Sequence, residues 1–474
     1  VASLQLFVDG TPVVLDANGI VTVKASGTLV SAVAIATDTS GNTKRETFDV
    51  TVNDPSNTNP PTVSLQPLTV NDGFITAPTS VRGSISDDGS ISYYKLLMAP
   101  VWAVDDDGDS DEFTLIKRVD NPTAITNGIL GTLDPSLLQN DTYVVRLEVA
   151  DSGGNTSYTD QTVDVTGDLK LGNFRLSFTD LTVPVTGIPI TLTRTYDTLT
   201  SNTIDDFGYG WRMEFRDTDL RTSLGKPTEE DEILGYQRAF KDGTKVYITL
   251  PGGKREAFTF KPTLDRIFKL AASISGNSDA LVYHPAFVAD KGGTSTLTVK
   301  DTTIIKRAGS NEYVGFDAAG VPYNPADINF GTVYVLTTKE GIVYEIDART
   351  GDLLTVTDTN GNKLTYSDAG ITSSTGKQIT FERDTAERIT AVKDPMGYLI
   401  QYGYDSKGDL ISVTDREGNV TRIEYNSERK HYLDKIIDPL GRTGVRNEYG
   451  EDGRLKYIYD VNGKPVEMQY EPNN

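Results

Sequence analysis

The chain has 474 residues, of which 37% are hydrophobic and 9% aromatic, and its formal net charge is −22. A protein that neutralises nucleic-acid phosphates needs clustered Lys and Arg, and here 45 basic residues stand against 67 acidic ones, so nucleic-acid binding is excluded. The absence of cysteine excludes disulfides, thiolate metal sites and a cysteine nucleophile, and no apolar run approaches the roughly 20 residues that span a bilayer.

The first 166 residues carry two copies of one turn signal. Asp38–Asn42 and Asp151–Asn155 both read D-x-x-G-N, and each is followed by a short alternating strand pattern. We therefore predict two β-sandwich modules that resemble bacterial immunoglobulin-like (Ig-like) domains, at 1–53 and 62–166, joined by a polar, Pro-containing linker at 54–61. The first module is short for a sandwich, and the chain begins without Met, so we expect a truncated module in a piece of a longer polypeptide.

An acidic loop interrupts the second module. Residues 105–112 read DDDGDSDE, and these seven oxygen-bearing side chains around one Gly repel one another unless a cation or solvent screens them. A Ca²⁺ ion takes about 6–8 oxygen ligands, although the spacing here does not match an EF-hand loop. The candidate calcium ligands are Asp105, Asp107, Asp109, Asp111 and Glu112. The alternative is a solvated acidic hairpin tip without a cation.

From Gly167 the chain changes to longer strand patterns separated by glycine turns such as Phe240–Gly243 and Pro251–Lys254. We assign 167–355 to a lead-in region that precedes a repeat array. Within it, Asp205 and Asp206 lie close to Trp211, a combination that also fits a carbohydrate-cleaving site. The alternative interpretation is a turn beside a packed indole.

A D-x-x-G turn signal recurs through the C-terminal quarter. The copies begin at Asp394, Asp405, Asp415, Asp438 and Asp460. Asp in the first position and Gly in the fourth suit a tight turn, and the main copies, at 394, 415, 438 and 460, lie 21, 23 and 22 residues apart. Between them Ile400, Tyr402 and Tyr404 share one parity, as half-buried strands require. We predict an array of antiparallel hairpins over 356–474.

These repeats resemble a known family. The stretch 404–418, YDSKGDLISVTDREG, is similar to the YD repeat of rearrangement-hotspot (RHS) proteins, and residues 459–463 and 354–362 repeat its opening and its close. The stretches 173–181, 187–197 and 207–212 resemble the region that precedes YD repeats in the same family. The array departs from the family pattern at an insertion over 426–431 and at a displaced Asp within 449–453. The resemblance covers about 170–470.

Taken together, these patterns predict an all-β chain with two Ig-like β-sandwich modules, followed by a large antiparallel sheet of YD-repeat hairpins. RHS shells are secreted or displayed on the bacterial surface, and they often enclose or carry a C-terminal effector. We therefore expect a non-enzymatic structural segment. Its expected partners are further repeats of the same polypeptide, other copies of the chain or an effector cargo, and the strand at 464–470 is expected to offer an edge for such pairing.

Two other function classes stay open. An adhesin or extracellular matrix fibre subunit would use the same repeats to bind surface glycans or neighbouring cells. A glycan-cleaving enzyme would need a carboxylate pair that so acidic a sequence does not single out. The two histidines, His284 and His431, each follow or precede a tyrosine and are far apart in sequence, so we interpret them as ordinary strand or loop residues.

Overall fold

The computed structural model describes residues 3–8, 10–14, 29–51, 56–68, 74–167, 170, 172–214, 216–267, 281–316, 320–460 and 462–470. Positions 54 and 55 of the predicted linker lie outside this part of the chain. The fold is all-β, as predicted, and a large antiparallel sheet dominates it. Two compact units are present: Val1–Val104 with Ser110–Asp134 and Thr142–Asp164, and Asp105–Asp109 with Pro135–Asp141 and Val165–Asn474.

The first strands of the chain form a four-stranded antiparallel sheet in the order β2-β1-β3-β4. They are β1 (Ser3–Val8), β2 (Thr11–Val13), β3 (Leu29–Thr37) and β4 (Thr43–Thr51). The turn that joins β3 to β4 is the first D-x-x-G-N signal. Its Asp38 Oδ1 accepts the backbone N–H groups of Ser40 and Asn42 at 2.8 and 2.9 Å. The hairpin expected from this signal is therefore present.

Residues 62–165 build two further sheets, in the orders β10-β7-β5 and β6-β12-β11-β8-β9. Their strands are β5 (Thr62–Leu65), β6 (Phe74–Ile75), β7 (Thr79–Ser86), β8 (Ile91–Pro100), β9 (Thr114–Asp120), β10 (Ile125–Leu133), β11 (Asp141–Asp151) and β12 (Thr156–Val165), with short 3₁₀ turns at Val101–Ala103 and Pro135–Leu137. Ile85 and Leu130 of the smaller sheet share a core with Tyr94, Leu147 and Val149 of the larger one. Two sheets therefore pack face to face, as in a sandwich.

The second unit begins with small sheets. Their elements are β13 (Arg175–Val183), β14 (Ile190–Asp197), β15 (Ile204–Asp205), β16 (Gly208–Tyr209), β17 (Trp211–Met213), β18 (Arg221–Thr222), α1 (Glu229–Leu234), β19 (Lys245–Thr249), β20 (Arg255–Phe260), β21 (Thr263–Leu264), β22 (Val282–His284), β23 (Phe287–Ala289), β25 (Ile304–Lys306) and β26 (Tyr313–Gly315), with 3₁₀ turns at Thr198–Thr200 and Ile328–Phe330. The strand orders are β13-β14-β17, β15-β16, β18-β19-β20-β23 and β21-β22-β25-β26. No helix in the described ranges has the length and apolarity needed to cross a membrane.

The repeat sheet, as we call the fifteen-stranded sheet, contains β24 and then β27 to β40 in sequence order. Its strands are β24 (Thr296–Val299), β27 (Val333–Thr337), β28 (Val343–Asp347), β29 (Leu353–Thr357), β30 (Lys363–Ser367), β31 (Gly370–Ser373), β32 (Gln378–Arg383), β33 (Ile389–Lys393), β34 (Leu399–Tyr404), β35 (Leu410–Thr414), β36 (Val420–Tyr425), β37 (Leu433–Ile437), β38 (Thr443–Tyr449), β39 (Leu455–Tyr459) and β40 (Pro465–Glu467). The expected boundary between 355 and 356 falls inside β29, so the sheet extends beyond the predicted array on its N-terminal side.

The turns of the repeat sheet share one hydrogen-bonding pattern. In the turn after β35, Asp415 Oδ1 accepts the N–H groups of Glu417 and Asn419 at 2.9 and 2.8 Å, and Gly418 has a φ of 84°. The same two carboxylate bonds recur at Asp394, Asp405, Asp438 and Asp460. The side-chain bond from Asn419 and these backbone bonds lower the pKa of Asp415. Its contribution to stability is therefore present at neutral pH and is lost as the pH falls through the lowered pKa.

Candidate functional site

One face of the repeat sheet is covered by the lead-in sheet, our name for β13, β14 and β17. Along β34, Ile400 and Tyr402 are buried while Leu399 and Gln401 are exposed, so alternate side chains point into the covered face. The lead-in side of this shared core includes Leu181, Ile190, Leu192, Tyr196, Trp211 and Met213, and the repeat side includes Ile371, Ile389, Ile400, Leu410, Val413 and Leu433. The two sheets thus share one hydrophobic core.

Trp211 lies at the centre of this interface. Its side chain is fully buried, and its ring centroid lies 5.4 Å from that of Tyr196. The indole Nε1–H donates to the Tyr425 hydroxyl at 2.9 Å. Tyr196 in turn donates to the His431 carbonyl at 2.7 Å and accepts the Leu433 N–H at 3.0 Å. The Trp211 indole is therefore packed in the shared core and has a polar bond to the repeats in addition.

The hairpin of β15 and β16 at 204–209, which we call the lead-in loop, also inserts aromatic rings among the repeats. Phe207 is fully buried, with its ring centroid 4.7 Å from that of Tyr402. The Tyr209 ring stacks on the His431 imidazole at 3.8 Å and 17°. His431 lies in the 426–431 insertion with a φ of 64°, and its Nδ1 is 2.7 Å from Asp409 Oδ1. The insertion that disturbs the repeat pattern therefore supplies a contact surface for the lead-in loop.

The second histidine has a different setting. His284 lies in β22, where Nε2 is 3.0 Å from Asp265 and Nδ1 is 2.8 Å from Asp301. Hydrogen bonds to these two carboxylates raise the pKa of His284. The stabilisation is therefore fully present below the unfolded-state pKa and is lost as the pH rises through the raised one.

Asp206 joins the lead-in loop to the repeats by charge. Its side chain is 2% exposed, and Oδ1 lies 2.6 Å from Arg216 Nη1 and 2.7 Å from Arg383 Nη2. The Asp206 carbonyl also accepts the Ile389 N–H at 2.7 Å. The neighbouring Asp205 is half-buried, and burial together with the charges of Asp217 and Asp206 raises its pKa. Asp206 therefore serves as a buried ion-pair partner for two arginines.

A tyrosine near the end of successive repeats donates to a backbone carbonyl 15 or 16 residues earlier. The pairs are Tyr404 to Ile389 at 2.6 Å, Tyr425 to Leu410 at 2.9 Å, Tyr449 to Leu433 at 2.8 Å, and Tyr470 to Leu455. Each accepting residue opens a strand and has a buried side chain. The tyrosine of the YD pattern therefore ties the end of one strand to the start of the preceding strand.

Removing one of these hydroxyls should weaken the sheet. The Tyr404→Phe change keeps the ring and leaves the Ile389 carbonyl without its 2.6 Å donor, so we expect a loss of about 1–2 kcal/mol in unfolding free energy. Tyr398→Phe is the matched control, because Tyr398 is 53% exposed. Urea unfolding of both variants measures the difference, and equal stability would contradict this role for the hydroxyl.

The glycines of two neighbouring turns allow a matched comparison. Gly408 and Gly418 have φ values of 92° and 84°, so Ala is strained at both, at a cost of about 1–3 kcal/mol. A Cβ at position 408 would also lie 3.1 Å from the Tyr209 ring, whereas a Cβ at 418 meets nothing within 4 Å. We expect Gly408→Ala to be the more destabilising variant in urea unfolding. Equal losses would show that Tyr209 does not rest against this turn.

The acidic loop contains a turn of the same kind as the repeats. The Asp105 N–H donates to the Asp109 carbonyl at 2.9 Å, the Asp109 N–H donates to Asp105 Oδ1 at 2.6 Å, and Gly108 has a φ of 82°. Further along, the Glu112 N–H donates to Ser110 Oγ at 3.1 Å. All of 105–112 is described, and in the described residues no three His, Asp or Glu side chains are grouped so as to hold a metal ion. Calcium binding by Asp105, Asp107, Asp109, Asp111 and Glu112 stays a prediction that requires these side chains to rearrange.

The calcium prediction has a direct test. Calcium added to EDTA-treated protein is expected to raise the melting temperature and to give a heat of binding, because it relieves repulsion among the loop carboxylates. A variant with Asp107→Asn and Asp109→Asn should lose both effects, and magnesium should reproduce them poorly. No heat and an unchanged melting temperature would leave the solvated hairpin tip as the correct interpretation.

Comparison with known proteins adds the following. A domain family described as "Domain of unknown function (DUF6531)" matches residues 168–224, which include the lead-in sheet and Asp206. No curated protein matches the chain. Among solved structures, a TcdB2-TccC3 crystal structure is 11% identical with a TM-score of 0.19, over 94% of this chain and 26% of that one.

Two further solved structures give similar values. The TcdB2-TccC3-TEV structure is 10% identical with a TM-score of 0.18, over 90% of this chain and 23% of that one. A Photorhabdus luminescens Tc holotoxin pore with a mutated TccC3 is 12% identical with a TM-score of 0.19, over 93% and 22%. The chain thus spans about a quarter of these chains, and likeness at such TM-scores does not establish a shared fold.

Proposed function

We propose that the chain is a non-enzymatic structural segment of a large secreted or surface-displayed bacterial RHS/YD-repeat protein. The repeat sheet forms part of the wall of a shell that encloses or carries a C-terminal effector, and the modules at 1–53 and 62–166 are Ig-like spacers that precede it. The observation that carries the proposal is the fifteen-stranded ladder, from β27 onward paired in sequence order, with a lead-in sheet packed on one face.

The pairing pattern suits a wall that grows by repetition. From β27 to β40 each strand pairs with its sequence neighbours, so adding a hairpin extends the sheet without a crossover connection. The tyrosine bonds between successive strands recur once per repeat and fix the spacing. A wall built in this way needs no catalytic group, and its partners are further repeats, other copies of the chain or the cargo.

The titratable residues of this region that could serve in catalysis are used in packing. Asp206 is held between Arg216 and Arg383, and His431 is stacked on Tyr209 and bonded to Asp409. Burial raises the pKa of Asp409, and its bond to His431 opposes that shift. Groups engaged in this way stabilise an interface, which supports a structural role over a glycan-cleaving one.

The proposal is tested on the polypeptide encoded by the complete reading frame. Limited proteolysis should spare the segment that follows the repeats in the wild type and cleave it in a Trp211→Ala variant, which loosens the wall. In the Tyr398→Ala variant, which changes an exposed turn, the segment should be as resistant to the protease as in the wild type. Equal cleavage of that segment in all three proteins would contradict a shell. Tight and selective binding on a glycan array, with no protected segment, would favour the adhesin alternative.

A further inference from the structure

A cleft with a cavity volume of about 480 Å³ opens beside the lead-in sheet. Its walls include Arg175 of β13, Asp197 of β14 and Arg212 of β17, together with Lys254 and Arg255 from the start of β20. Arg175 is paired with Asp197 in the strand register, and Arg212 is paired with Thr195, two residues before Asp197. Adjacent strands and one hairpin therefore bring four cations to a single cavity.

Arg212 is the unusual member of this group. Its side chain lines the cavity although the residue is only 9% exposed. Among the residues that the structure describes, none accepts a hydrogen bond from the Arg212 guanidinium or forms an ion pair with it. The positive charge of Arg212 acts to lower the pKa of Asp197, Asp205, Asp217 and Asp219, so carboxyl groups near it balance the charge. Its N–H donors are what it offers to a ligand in the cavity.

The other three cations each have protein partners. Arg175 Nη2 is 3.3 Å from Glu214, Lys254 Nζ is 3.1 Å from Glu256, and Arg255 Nη1 is 2.9 Å from Asp219. Burial and repulsion from Arg212 lower the pKa of Arg175. The Arg175 Nε is also buried without a hydrogen-bond partner. Arg175 and Arg212, which line the same cavity, thus both have N–H donors for which the described residues supply no acceptor.

Asp197 offsets part of the positive charge of this group. It is the acidic residue of the cavity lining, and its Oδ1 already accepts the Leu199 N–H at 2.9 Å. Burial raises the pKa of Asp197, with the Arg212 charge opposing the rise. The lining therefore carries five cations, namely the four above and Lys170, and one carboxylate, in a chain whose net charge is −22.

The hairpin at Gly252 and Gly253 lets Arg175 pack directly against its backbone. Gly252 and Gly253 both have a φ of 83°, and Arg175 Nη1 donates to the Gly252 carbonyl. A Cβ on Gly253 would lie 1.5 Å from Arg175 Nη1, so only glycine lets this arginine reach the cavity wall. The hairpin thus holds Arg175 in place. Lys254 comes directly after Gly253 in the chain and also lines the cavity.

We propose that this cleft is an anion-binding site that takes a phosphate, sulfate or carboxylate group, with Arg212 as its principal ligand and Arg175 and Lys254 beside it. A planar guanidinium presents paired N–H donors that match two oxygens of such a group. A cavity of this volume is within the usual range for small-ligand sites, so it accommodates the anionic group together with the part of the ligand that bears it.

The test uses thermal unfolding and calorimetry of the full chain with sodium phosphate, sodium sulfate or sodium glutarate as the probe, each against sodium chloride at equal ionic strength. At least one oxyanion should raise the melting temperature of the wild type above the chloride value, and which probe does so distinguishes tetrahedral anions from carboxylates. Arg212→Met should melt lower than the wild type without ligand, since it removes a cation that favours the charged form of four carboxyl groups, so the rise caused by each probe is compared within each protein. It should show no oxyanion-specific rise.

A second variant covers the case in which Arg212→Met does not fold. Lys254→Gln changes a side chain that is 40% exposed, and the dissociation constant of the effective probe should rise roughly tenfold. Arg446→Gln, which alters an exposed ion pair of the repeat sheet, should bind as the wild type does. The proposal is overturned if no probe exceeds chloride, or if the Arg212→Met and Lys254→Gln proteins bind as tightly as the wild type.

Discussion

Trp211→Ala is expected to destabilise the second unit by about 3–5 kcal/mol, because it empties a fully buried indole site between two sheets. The change also removes the donor to the Tyr425 hydroxyl and the ring contact with Tyr196. Urea unfolding followed by tyrosine fluorescence or circular dichroism measures the loss. The same variant should expose both the lead-in sheet and the repeat sheet to protease, since they share the core that it damages.

Two controls make this result specific. Trp211→Phe keeps most of the buried ring and loses only the N–H donor, so it should cost much less than Ala. Tyr398→Ala removes an aromatic ring of the repeat sheet that is 53% exposed, and it should be nearly neutral. If Trp211→Ala cost no more than Tyr398→Ala, the lead-in sheet would not share a core with the repeats.

Asp206→Ala is the second change with a large expected effect. It removes the carboxylate that lies between Arg216 and Arg383, whose side chains are 9% and 13% exposed, and leaves both guanidinium groups buried without it. Breaking one partner of a buried charge pair typically costs about 3–5 kcal/mol. Chemical denaturation should show a loss of this size, whereas Glu424→Ala, which breaks a pair with Lys435 on the open face, should cost less than about 1 kcal/mol.

A double variant separates the loss of the ion pair from the cost of leaving a buried cation without a carboxylate. In Asp206→Ala, Arg216 keeps its ion pair with Asp368, whereas Arg383 loses the carboxylate that faces it. Adding Arg383→Met removes this cation, so the double variant should be more stable than Asp206→Ala alone. Arg383→Met alone should be destabilising, because it leaves Asp206 with Arg216 as its remaining guanidinium partner. Additive losses in the double variant would mean that the ion pair does not join the two elements.

The repeat sheet could be predicted from sequence because its contacts are local. Each D-x-x-G turn joins strands that are neighbours in the chain, and the parity of Ile400, Tyr402 and Tyr404 already gives the buried face. The Tyr404 hydroxyl bond was not predictable in this way. The YD pattern identifies the tyrosine, but its acceptor, the Ile389 carbonyl, comes within reach only once β33 and β34 are in register.

The packing of the lead-in sheet and loop on the repeat sheet could not be predicted from the sequence pattern, because the contacts join residues more than 150 positions apart. Trp211 and Tyr425 are separated by 214 positions, and Arg383 follows Asp206 by 177. In the sequence, Asp206 is one of many carboxylates, and only the fold places two arginines on it. A usable signal was the insertion at 426–431, since a departure from a regular repeat often marks a position with an additional contact.

Hydrogen exchange measured peptide by peptide tests most directly whether the lead-in sheet and the repeat sheet form one cooperative wall. In the wild type, amides of β13 and β14 and those of β33 to β37 should exchange slowly and with similar free energies of opening. In Trp211→Ala, both sets should lose protection together. Free exchange of β13 and β14 beside fully protected repeats, in either protein, would contradict the account.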